Sequence, residues 1–232
     1  SGGCVIVLHS YAHSDPDNNR MAETASGLTE RQFAKMVAPA LTLTLESRGH
    51  QVHHYSGDLA KTIRQMHRHE TTIMDNGQRW CCVEAHFNDT PSEYCTRCGH
   101  QRKTGCVCPA CGAAPSIGWT WGPTAMFWRH SLHSLDLAST ILDALRDLMP
   151  WTLRLNKKKP IALPDPRYGR KAWVEDLEPP AVLVECGFAA DRRFAKFIED
   201  PAGPPAIGQC IADAICEWEI RHRDRPLDRW GA

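Results

Sequence analysis

Nothing in this chain approaches the roughly 20 consecutive apolar residues that cross a bilayer, so no membrane-spanning helix is expected. Net charge is missing as well: 27 basic residues face 27 acidic ones. A chain without excess positive charge does not hold nucleic acid mainly by charge. Internal repeats and low-complexity segments are absent, which excludes solenoids and compositionally biased tails. The opening Ser1-Gly2-Gly3 shows no basic region followed by an apolar one. No signal peptide is therefore expected, and synthesis in the cytoplasm is. Aromatics are scarce in the polar segment 91–117, where Tyr94 stands alone until Trp119 and Trp121. That scarcity counts against stacking on nucleic-acid bases.

What the chain does have is length, cysteine and histidine. Its 232 residues suffice for one sizeable domain with a small module attached. The 11 cysteines fall into two kinds. Cys4, Cys81, Cys82, Cys186, Cys210 and Cys216 lie in apolar runs, where a free thiol behaves as a small hydrophobe. Cys95, Cys98, Cys106, Cys108 and Cys111 cluster in one polar segment. The split fits a reducing compartment, with metal binding in the cluster.

Taken in order, Cys4-Val5-Ile6-Val7-Leu8 reads as a buried strand that breaks into a loop carrying His9 and His13. Strand exits of this kind are where α/β proteins place their ligands. Thr29 is a candidate N-cap and Glu30 a favourable first-turn charge. Phe33, Val37, Leu41 and Leu45 recur behind them at helical spacing, and Gly49 ends the helix. Gln51-Val52-His53-His54-Tyr55 is a second strand, and Leu59, Ile63 and Met66 mark a helix whose His67 and His69 read as solvated. The third strand, 80–86, ends in His86-Phe87-Asn88. Beyond the cysteines, Leu135 to Leu148 is an amphipathic helix. Phe194, Phe197 and Ile198 mark a short helix, and Ile207, Ile211, Ile215 and Trp218 a terminal one. Ala181-Val182-Leu183-Val184-Glu185-Cys186-Gly187-Phe188 reads as a buried strand ending in a carboxylate, with a sharp turn expected at Gly187. A glutamate in such a run is paired, used, or has reached solvent. Strands alternating with helices imply an α/β fold: a mostly parallel or mixed sheet covered by helices on both faces.

The cysteine segment carries the more specific signal. Cys95-Thr96-Arg97-Cys98-Gly99 and Cys108-Pro109-Ala110-Cys111-Gly112 are two Cys-x-x-Cys-Gly units. Each pair presents two thiolates to one ion, and the glycine relieves the tight turn. Cys95, Cys98, Cys108 and Cys111 in tetrahedral array form a closed, structural zinc site. Cys106 is an alternative to Cys108 as a ligand. The intervening loop is shorter than the usual template. Two disulfides are the competing reading. On this basis residues 93–115 are a small zinc-ribbon-like module inserted in a domain that spans 1–232.

A second constellation is dispersed: His9 or His13 after the first strand, Glu30 at a helix start, His86 after the third strand, and Glu185. Two imidazoles and a carboxylate make a zinc set with an open position for water. A second carboxylate nearby serves as general base. Each histidine also has a reading as a satisfied core residue.

Glu30 with its helix, Gly49-His50-Gln51-Val52, His86-Phe87-Asn88 and Leu183-Val184-Glu185-Cys186-Gly187-Phe188 together resemble the zinc-dependent N-acetylmuramoyl-L-alanine amidases of the amidase 3 type. The resemblance runs from about residue 4 to residue 220, with the cysteine segment as an insertion. It implies a catalytic zinc held by the first-loop histidine, Glu30 and His86, with Glu185 as the catalytic carboxylate. His13, followed by Ser14-Asp15-Pro16, fits the first position better than His9, although the family's Gly-His-Gly is missing. Asn88 falls in the substrate-binding loop and is expected to orient it. The implied reaction cleaves peptidoglycan between N-acetylmuramic acid and the first L-alanine of the stem peptide. The substrate would be the wall, with neither nucleic acid nor membrane as partner. Delivery would suit a phage lysis enzyme or an exported bacterial one. Another zinc peptidase or deacylase on the same ligands, or a non-catalytic zinc-ribbon binding protein, are the competing functions.

Overall fold

The computed structural model describes residues 5–11, 23–24, 26–88, 92–94, 97–98, 100–103, 108–113, 122–151, 159–164, 172–178, 180–189 and 191–224. The elements run β1 (Val5–Tyr11), α1 (Glu30–Ser47), β2 (Gln51–Tyr55), α2 (Leu59–Asp75), β3 (Arg79–Asn88), β4 (Ser92–Tyr94), β5 (Gln101–Lys103), β6 (Thr124–Trp128), α3 (Leu132–Leu148), β7 (Ile161–Leu163), α4 (Ala172–Glu175), β8 (Ala181–Phe188), α5 (Arg192–Glu199) and α6 (Gly203–His222). The main sheet has six strands in the order β2-β1-β3-β8-β6-β7. The first four of these are mutually parallel, β6 runs antiparallel to β8, and β7 is parallel to β6. The sheet is thus mixed, as the alternation of elements implies.

Period-two alternation sorts each central strand between two cores. Val5 and Val7, Cys81, Val83, Ala85 and Phe87, and Val182, Val184 and Cys186 pack with α1, α3, α5 and α6. Ile6 and Leu8, Trp80 and Cys82, and Ala181 and Leu183 pack with α2 and α4 on the other side. All eight residues of β8 are buried, as expected for a strand covered on both faces. Cys81, Cys82, Cys186 and Cys216 are buried free thiols; Cys82 and Cys216 also meet charged groups, the Glu70 carboxylate and the Arg48 guanidinium.

α1 is anchored on α6 at close range. A Cβ on Gly208 would lie 2.3 Å from the carbonyl oxygen of Val37, so only glycine lets the two backbones approach this closely. Two strands of the main sheet escape the sequence reading, as do β4 and β5 in the inserted segment. β6 and β7 have five and three residues, too few to display a period. Gly187 also departs from expectation: it makes no turn but lies inside β8, outside the positive-φ glycines. Its reason is space, because a Cβ there would meet Phe194 Cδ2 at 2.4 Å. His67 and His69 are not simply solvated: His67 Nδ1 lies 3.2 Å from Glu70 Oε2, and His69 bonds the Tyr55 hydroxyl. Within the inserted segment β4 and β5 form an antiparallel hairpin. Among the described residues no helix is long and apolar enough to cross a membrane.

Candidate active site

Three phenylalanines bring the site's elements together. Phe33 lies on α1 one turn past Glu30, Phe87 follows His86, and Phe194 on α5 packs against Gly187. Their rings meet edge to face, with centroids 5.4 Å apart for Phe33–Phe87, 6.4 Å for Phe33–Phe194 and 6.2 Å for Phe87–Phe194. All three are fully buried, and each contributes about 1.5–3 kcal/mol by burial. This cluster fixes the start of α1 against the C-terminal ends of β3 and β8.

α1 begins where it does because Thr29 caps it. The Thr29 hydroxyl accepts from the Gln32 N–H at 3.3 Å, and the Gln32 side chain accepts from the Thr29 N–H at 2.8 Å. This reciprocal capping box satisfies two otherwise orphaned groups. Glu30 then stands in the first turn, buried, and its Oε1 contacts His86 Nδ1. On the other side of the ring, His86 Nε2 lies 3.1 Å from Glu84 Oε2. Burial opposes charge on His86, but the Glu84 and Glu30 carboxylates outweigh it and hold the imidazolium well above its ordinary range.

β8 brings Glu185 beside this group. Its register partner on β3 is His86 and its register partner on β6 is Thr124. Glu185 is 6% exposed, so its carboxyl is largely withdrawn from water. The register slips between His86 and Asn88, a bulge of the kind that re-aims side chains at strand ends. Asn88 closes the pairing: its carbonyl accepts from the Ala189 N–H at 3.0 Å.

Of the two histidines expected in the first loop, His13 lies outside the described residues, and His9 falls inside β1 because that strand runs on to Tyr11. His9 is fully buried on β1, with its Nδ1 3.1 Å from His54 Nδ1. His54 in turn reaches the Thr42 hydroxyl with Nε2 at 2.8 Å. Burial first, then repulsion from His54, lowers the His9 pKa to about 3, so the ring is neutral. Glu84 escapes the sequence reading altogether. Its only signal is a carboxylate two residues before His86 in an otherwise apolar strand, which puts both on one face.

In the inserted segment, the sulfurs of Cys98, Cys108 and Cys111 lie within 4.8 Å of one another, with Cys98 and Cys108 3.6 Å apart. Cys95 and Cys106 lie outside the described residues. Gly112 takes a φ of 64° directly after Cys111, the left-handed turn that glycine permits at least cost. Desolvation works against a thiolate at Cys108, but backbone amides of Ala110 and Cys111 overcome it and lower the pKa.

The chain matches the family model for N-acetylmuramoyl-L-alanine amidase over residues 6–217. Sequence comparison with curated proteins finds no match. Solved structures share the fold. The CwlD amidase of Clostridioides difficile, solved in complex with the GerS lipoprotein, is 17% identical with a TM-score of 0.63, covering 94% of this chain and 99% of its own. The amidase AmiC2 of Nostoc punctiforme is 14% identical with a TM-score of 0.65, covering 95% and 100%. The catalytic domain of the CD27L endolysin, which targets Clostridia difficile, is 17% identical with a TM-score of 0.58, covering 92% and 97%. Because the family match runs from β1 into α6, across every element that builds the Glu30–His86–Glu185 group, the chain belongs to the N-acetylmuramoyl-L-alanine amidase family and is a peptidoglycan amidase.

Proposed function

We propose that this amidase is zinc-dependent, with Glu30, His86 and His13 holding the ion and Glu185 acting as general base and acid. His9 is the alternative to His13. The observation that carries the reading is the contact between Glu30 and His86, with Glu185 in register beside His86. A carboxylate oxygen and an imidazole nitrogen already face each other, which is the donor chemistry of a catalytic zinc site. Zinc, when bound, would polarise the scissile carbonyl and make water a nucleophile near neutral pH.

The protein's own residues do the rest. Glu185, largely shielded from solvent, takes a proton from the attacking water. It returns that proton to the nitrogen of L-alanine as the amide C–N bond breaks. Burial of Glu30 and His86 excludes bulk water from the ligands and strengthens their interactions. Asn88, held by the β3–β8 pairing, orients the rim where the muramyl peptide would lie.

A second zinc would sit in the inserted segment, held by Cys98, Cys108 and Cys111 with Cys95 as fourth ligand. Four thiolates leave no open position, so this ion would be structural.

Digestion of purified sacculi followed by mass spectrometry tests the reaction. The expected products are intact stem peptides with a free L-alanine amine and glycan strands bearing free lactyl groups. Fragments cut within the stem peptide would point to a peptidase and overturn the reading.

A further inference from the structure

Glu84 is a buried carboxylate that the reaction does not call on. It lies inside β3, 1% exposed, where an apolar residue would pack at no desolvation cost. It stands two residues before His86, and its Oε2 is 3.1 Å from His86 Nε2. The other ring nitrogen, Nδ1, faces Glu30. The two nitrogens of one imidazole are thus directed at two carboxylates with different neighbours.

We propose that Glu84 is the positioning residue for His86: its carboxylate accepts a hydrogen bond from Nε2–H, which stays on the ring, so that Nδ1 is the nitrogen whose proton a metal would displace. This inference rests on the zinc reading above. Neutral imidazole carries one N–H and one lone pair, so fixing the proton on Nε2 determines which nitrogen can coordinate. Glu84 also holds the ring plane, because both residues project from one face of a strand buried on both sides. Partners of this kind raise ligand basicity, and their loss weakens metal binding without removing a ligand. Glu30 is assigned to the metal and Glu84 to the ring because Glu30 faces the nitrogen that Glu84 does not.

The test compares metal affinity in the wild type, Glu84→Ala, Glu84→Gln and His86→Ala. Zinc dissociation constants come from competition with a chromophoric chelator. Cobalt substitution separates the two sites, since thiolate ligands add charge-transfer absorption that nitrogen and oxygen ligands lack. Glu84→Ala is expected to weaken the nitrogen–oxygen site by about 10- to 100-fold and to shift its visible cobalt bands. Glu84→Gln, whose amide oxygen still accepts from Nε2, is expected to lose less. Circular dichroism of the metal-free proteins confirms folding, and Glu84→Gln carries the test should the alanine variant not fold. Unchanged affinity and bands in both Glu84 variants, with His86→Ala losing the metal, would overturn this inference alone. Unchanged binding in His86→Ala would overturn the zinc reading beneath it.

Discussion

At the scale of single residues, what distinguishes this protein is how many ionisable groups it buries. Glu30, Glu70, Glu84, His86 and Glu185 are all under 10% exposed. Glu70, on α2, is the clearest case outside the active site. Its Oε1 accepts from the Cys82 thiol at 3.0 Å and its Oε2 from the Glu178 N–H at 3.4 Å. Burial nonetheless dominates and raises its pKa from 4.5 to about 7. The native state then holds a proton that the unfolded chain has released. Stability attributable to Glu70 is full below about pH 4.5 and falls as pH rises through about 7. The total loss is about 3 kcal/mol. Denaturant unfolding at a series of pH values should show this slope in the wild type and not in Glu70→Gln, whereas parallel curves would contradict it. Legibility at this scale was uneven. Glu30 opens α1, whereas His86 and Glu185, expected at strand ends, lie two and three residues inside the ends of β3 and β8; each interrupts an apolar pattern and draws notice. Glu84 sits mid-strand, and a sequence does not say which face of a strand a lone carboxylate takes or what waits there.

At the scale of elements, close approach explains two glycines. Gly187→Ala would drive a Cβ into the Phe194 ring, and Gly208→Ala one into the Val37 carbonyl. Overpacking of this kind costs about 1–3 kcal/mol. Gly208 should lie at the upper end, since its obstacle is backbone and not a movable ring. Thermal unfolding of the two variants checks both the size and the order. Gly187→Ala should in addition weaken zinc binding, because Phe194 belongs to the cluster that sets α1 against β3 and β8. The long helices were readable from their apolar periods, and Thr29 was readable as a cap. β6 and β7 were not, since strands so short gain their stability from neighbours remote in sequence. Only the folded molecule shows why residue 187 is glycine, because Phe194 arrives from the next helix.

On the scale of the whole molecule, topology makes the site. β8 lies between β3 and β6, so His86 and Thr124 both become neighbours of Glu185. The cysteine-bearing segment leaves the sheet after β3 and returns at β6. Both of its roots therefore flank the strand that carries Glu185. Loss of metal from the three-thiol cluster should loosen that rim. A Cys98→Ser/Cys108→Ser variant is expected to bind one zinc fewer and to show a raised KM on sacculi with a smaller change in kcat. Metal analysis paired with kinetics checks this, and an unchanged zinc content would contradict it. The order of motifs along the chain was enough to indicate the family. The pairing of His86 with Glu84 needed the folded strand.

The central claim is that Glu30 and His86 hold a zinc ion beside Glu185, which moves the proton. Glu185→Gln preserves shape and removes the base, so its zinc content and its rate on purified sacculi test that claim most directly. The account predicts wild-type zinc stoichiometry with turnover reduced by at least about 100-fold, the scale of a lost general base. Near-normal hydrolysis by that variant would contradict it.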